Sequence, residues 1–130
     1  MSAEATFASE ATGARCHALL RQEHWYQGEL SALWNVLFVQ VAADRWLRFF
    51  FDAGVFFWCS TRQPDSIPQQ EASTYQLTSV IEATPLLGQV IVSVVFTDPD
   101  ASVRELVIEF SGGGRLRLTN AEDENQVVFV

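Results

Sequence analysis

The feature that most constrains the fold is an internal repeat. The segment Arg45 to Trp58 (RWLRFFFDAGVFFW) returns, loosened, as Glu105 to Leu118 (ELVIEFSGGGRLRL). Leu47, Phe49 and Phe51 align with Leu106, Ile108 and Phe110. Asp52-Ala53-Gly54 aligns with Ser111-Gly112-Gly113, with Gly114 one residue extra, and Phe56 and Trp58 then match Leu116 and Leu118. Each copy is an alternating apolar run, a glycine-bearing turn and a second alternating run. That pattern predicts a β-hairpin. Upstream, Val36 to Val41 stands where Val90 to Val95 stands in the second copy. Each half then becomes a three-stranded meander whose neighbouring strands pair antiparallel.

Around this repeat the rest of the chain falls into place as one domain over 1–130. Residues 1–9 are small and polar and predict a flexible start, and 10–24 carry Ala, Leu, Gln, Glu and Arg and predict a helix. The first meander is placed at 35–60. A connection with Pro64 and Pro68 follows at 61–74, then the second meander at 75–130. Gln89 to Phe96 is nearly all apolar and predicts a strand buried on both faces. The expected class is α+β: a mainly antiparallel sheet or roll of six to eight strands with one N-terminal helix.

The two copies differ on their outer faces. In the second, Glu105, Glu109, Arg115 and Arg117 point outward and can pair across the hairpin. In the first, the same positions carry Trp46, Arg48, Phe50, Val55 and Phe57. An aromatic face is normally covered. Two covers are available: the N-terminal helix, through Cys16, Leu19, Leu20 and Trp25, or a second copy of the chain in a homodimer. Phe50→Asp or Phe57→Asp separates them, unfolding the chain in the first case and releasing a monomer in the second.

Charge narrows the partners. Sixteen acidic residues oppose eight arginines, with no lysine, for a net charge of −8. The excess lies mostly after Asp65, in the acidic turns Asp98-Pro99-Asp100 and Glu122-Asp123-Glu124. Such a surface repels nucleic-acid phosphates and suits a basic protein partner. No apolar run approaches the ~18 residues of a membrane span. The first residues lack a basic region followed by an apolar one, so a cytoplasmic location is expected.

No motif assigns a catalytic, cofactor or metal residue. Gly112-Gly113-Gly114 joins two strands and opens no helix, so it reads as a turn rather than a phosphate loop. His17 and His24, with Cys16 and Glu23, lack the tight spacing of a zinc site. Asp98-x-Asp100-x-Ser102 lacks the central glycine and terminal glutamate of a calcium loop. Asp44, Asp52 and Glu82 are not selected by any spacing for acid–base work. Cys16 and Cys59 are expected to be free thiols.

The stretch from Leu87 to Phe129 carries Leu87-Gly88-Gln89-Val90, Leu106 to Gly113, Leu116 to Asn120 and Val127-Val128-Phe129. It resembles small uncharacterised bacterial proteins, some of them immunity-like partners of secreted toxins. That resemblance implies a binding protein. The leading expectation is an acidic binding protein acting by surface complementarity through Trp46, Phe50, Phe57, Asp98, Asp100, Glu122, Asp123 and Glu124. The alternative is a small-molecule binder or enzyme whose pocket is lined by Trp34, Trp46 and Trp58.

Overall fold

A computed structural model describes residues 2–64 and 71–130. Its helix α1 spans Ala3–Ala11, and nine strands follow among the described residues. Strands β1 (Ala18–Tyr26), β2 (Glu29–Ala42), β3 (Arg45–Asp52), β4 (Val55–Thr61) and β5 (Ser73–Ser79) form one antiparallel sheet in the order β4-β3-β2-β1-β5. Strands β6 (Ile91–Asp100), β7 (Val103–Phe110), β8 (Arg115–Ala121) and β9 (Glu124–Phe129) form the second, in the order β6-β7-β8-β9. The repeated segments are the hairpins β3–β4 and β7–β8, each preceded by its pairing strand, β2 or β6.

One apolar core lies between the sheets. Leu37, Val39, Leu47, Phe49, Phe51 and Phe56 of the first belong to the same cluster as Ile91, Leu106, Ile108, Phe110, Leu116 and Leu118 of the second. The layers are stitched together ahead of β1 and β6. There the Ile91 N–H donates to the Ala14 carbonyl, the Cys16 N–H to the Gln89 carbonyl and the Gly88 N–H to the Cys16 carbonyl.

The helix is not where composition placed it. Residues 10–24 do not form one: the helix ends at Ala11 and Ala18–Tyr26 is a strand. The supposedly flexible start is helical because Ser2 caps it, its Oγ accepting the Ala5 N–H at 3.1 Å, and Glu4 in the first turn complements the dipole. Phe7 is fully buried against Phe49, Phe56, Trp58 and Phe96. In Ala18–Tyr26, ladders to β2 on one side and β5 on the other override the helix propensity of Leu, Arg, Gln and Glu.

Two further expectations shift. The first strand of the presumed second meander, β5, pairs with β1 and belongs to the first sheet. A 3₁₀ turn at Ile81–Leu86, with Pro85 inside it, then carries the chain across to the second. Strand β6 is an edge strand, with Val92 49% and Val95 46% exposed, so it is not buried on both faces. The middle of the connection expected at 61–74, residues 65–70, lies outside the described residues. No described helix is long and apolar enough to cross a membrane.

Candidate functional site

The outer faces of the two sheets differ as the repeat predicts. On the second, Glu109–Arg115 and Glu105–Arg117 each pair at 3.7 Å across β7 and β8. On the first, the Phe50 and Phe57 rings stack 5.2 Å apart and the Arg48 guanidinium lies 5.0 Å over Phe50. Arg48 forms no ion pair among the described residues. The N-terminal helix does not cover this face. Its Phe7 packs on the opposite side of β3 and β4, while Cys16 precedes β1, Leu19 joins the inner core, and Leu20 and Trp25 are residues of strand β1, with Leu20 opposite Phe38. Trp46 and Phe50 are half-buried, and Phe57 is 45% exposed. Beside them on β2, Val36 and Phe38 are buried yet lie outside the core cluster. The face therefore has a thin apolar layer of its own.

The acidic turns gather at one end of the molecule, drawn there by a polar relay. The Gly54 N–H in the β3–β4 turn donates to Asn120 Oδ1 (3.2 Å), and Asn120 Nδ2 donates to Asn125 Oδ1 (3.2 Å). Asn125 Nδ2 in turn donates to the Phe51 carbonyl (3.1 Å). This relay ties the first hairpin's tip to the β8–β9 turn. Arg104 reinforces it by pairing with Glu4 and Asp98, donating to the Gly54 carbonyl and lying 6.0 Å over Phe51. The end thus holds Glu4, Asp52, Asp98, Asp100, Glu122, Asp123 and Glu124, with Arg104 already engaged.

The predicted acids have different fates there. Asp98 is spent on Arg104. Asp100 Oδ1 accepts the Ser102 N–H (3.2 Å) and hydroxyl (3.3 Å), a turn-holding role. Glu122 and Asp123 form a two-residue hairpin turn with φ of 54° and 60°. The turns at Gln27-Gly28 and Ala53-Gly54 have the same left-handed geometry but place glycine second. Two acids without a glycine are a costly choice for such a turn, about 1 kcal/mol or more for each left-handed residue. Their carboxylates are what this position gains.

Three elements enclose a cleft of about 760 Å³ at this end. Its lining is Ser31–Asn35 of β2, Phe50–Asp52 at the end of β3, and Asp123–Gln126 of the β8–β9 turn and β9. It opens because β2 parts from β3. Their pairing ends at Leu37–Phe49, and a bulge between Gln22 and His24 sets three residues of β2, Leu33 to Asn35, against Glu23 alone of β1. The fold therefore brings Phe50 together with Asp123 and Glu124, and adds Asp52 and Trp34. Trp46, Phe57, Asp98, Asp100 and Glu122 stand outside it. Sequence reading missed Trp34 and Asp52 as partners of these acids. The signal available was the loss of alternation in Glu29 to Asn35, where Ser31 and Asn35 interrupt the apolar pattern.

The alternative pocket does not assemble. Trp46 lies on the outer face, Trp58 packs inside 5.6 Å from Phe7, and Trp34 sits 6.2 Å from Phe129 with the Arg21 guanidinium over it at 4.9 Å. One contact does resemble catalytic chemistry: His24 Nε2 is 3.1 Å from Ser73 Oγ, across β1 and β5. His24 stacks on Tyr75 at 4.9 Å. Among the described residues no carboxylate hydrogen-bonds the ring, so the pair lacks the third group that orients a base. No described group of three or more His, Cys, Asp or Glu could hold a metal ion. Compared with known proteins, the chain matches no family, no curated protein and no solved structure.

Proposed function

We propose that this chain is a small acidic binding protein that holds a basic protein partner by surface complementarity, an immunity-like role rather than catalysis. The observation that carries the reading is the convergence of an aromatic strand end and an acidic turn, distant in sequence, on one cleft. Asp52, Asp123 and Glu124 steer a cationic surface in and hold its register, while Phe50 and Trp34 offer apolar area to bury.

Affinity capture with the purified chain, followed by salt titration and a variant carrying Asp52→Asn, Asp123→Asn and Glu124→Gln, tests it. The expected partner is basic, dissociates as salt rises and is lost with the variant. A partner that binds the variant equally well, or no protein partner at all, overturns the reading. The cleft volume also lies within the ~300–1,000 Å³ range of small-molecule sites. A thermal-shift screen in which a small molecule raises the melting temperature of the wild type would favour that second reading.

A further inference from the structure

One wall of the cleft is the stretch of β2 that has parted from β3. Strand β2 lines the cleft with Ser31 to Asn35, where a bulge sets Leu33, Trp34 and Asn35 against Glu23 alone of β1. Past that bulge it pairs with β1 at Ala32, Leu30 and Glu29, but its pairing with β3 stops at Leu37. From Glu29 to Val36 one edge of β2 therefore has no ladder partner among the described residues. An unpaired edge is a row of backbone N–H and C=O groups, and those are obligatory hydrogen-bonding groups. On the facing wall the Phe51 carbonyl is already taken by Asn125, which leaves β2 as the open side.

We propose that the cleft is a vacant strand position, filled by an extended segment of the basic partner that pairs with β2 along Ser31–Asn35. The proposal rests on the binding function argued above and names how the partner is gripped. Backbone pairing requires an extended chain and supplies affinity, while side chains at alternate positions supply specificity. Asp52, Asp123 and Glu124 line the cleft and, among the described residues, no basic one does, so lysine or arginine belongs at those alternate positions. A second copy of this chain, at −8, is disfavoured as occupant by the same charge.

Amide hydrogen exchange on the full chain tests this, with an octapeptide of alternating lysine and valine as probe and its glutamate–valine counterpart as control. Added protection is expected at Ser31–Asn35 with the lysine peptide and none with the control. N-methylating alternate residues of the peptide in one register should weaken binding at least tenfold, and in the other register leave it unchanged. No new protection in β2, or equal tolerance of both N-methylated registers, overturns strand addition. Either result leaves the basic-partner reading intact if partner capture still fails with the triple carboxylate variant. Capture that survives that variant removes the broader reading instead.

Discussion

Phe7 shows how much one side chain decides. It is the aromatic residue of a nine-residue helix otherwise built from Ala, Glu, Thr and Ser, and it fills the space between Phe49, Phe56 and Phe96. Phe7→Ala should cost about 3–5 kcal/mol in urea unfolding, by lost transfer energy and the cavity left behind. Phe57 is the opposite case. Phe57→Asp should leave the thermal transition in place, because the ring is 45% exposed on the outer face. Loss of the fold would show that the layer over Phe38 is core. The cysteines divide the same way: both are free, Cys59 exposed and Cys16 buried. Burial pushes the Cys16 thiol from 9.0 up to about 11. Between these values the unfolded thiol ionises and the folded one does not, so unfolding releases a proton there. Stability should be full below about pH 9, fall as pH rises to about 11 and then level. Cys16→Ala should remove that part of the alkaline loss, as measured by denaturant melts across this range.

Turns and strand pairings carry the next level. The Asn120–Asn125 relay joins the tip of one repeat to the turn after the other. Asn120 is buried, and Asn120→Ala leaves the Gly54 N–H without its acceptor. The expected loss is about 1–3 kcal/mol. Amide exchange should show it at Gly54, which would otherwise stay as protected as in the wild type. At the β8–β9 turn the direction reverses. Glu122→Asn with Asp123→Gly relieves two left-handed residues and should raise stability by about 1 kcal/mol while weakening capture of a basic partner. The hairpins of the repeat were legible because alternation and a glycine turn coincide in each. The helix and β1 were not. Ala3–Ala11 looks unstructured until Ser2 is seen as a cap and Phe7 as an anchor. Ala18–Tyr26 has helical composition, and only two flanking ladders make it a strand.

Across the whole molecule the charge is polarised. The end that bears the β3–β4 and β8–β9 turns is acidic, and its arginine, Arg104, is consumed by Glu4 and Asp98. Such a field acts first on encounter. Neutralising Asp52, Asp123 and Glu124 should slow association with a basic partner by on the order of tenfold at low salt. The effect should shrink as salt screens it, in surface-binding kinetics at two ionic strengths. An unchanged association rate would mean that the field at this end does not steer.

The sequence by itself determined the repeat, the alternation that buries one face of each hairpin, and the contrast between a charged and an aromatic outer face. These are local properties, since a period of two fixes which side of a strand each residue takes. The tertiary structure decided which face the helix covers, that β5 joins β1, and that β2 parts from β3 to open a cleft beside Asp123 and Glu124. Those outcomes depend on contacts between segments far apart in the chain, and local pattern carries no information about which distant edge or face a segment will meet.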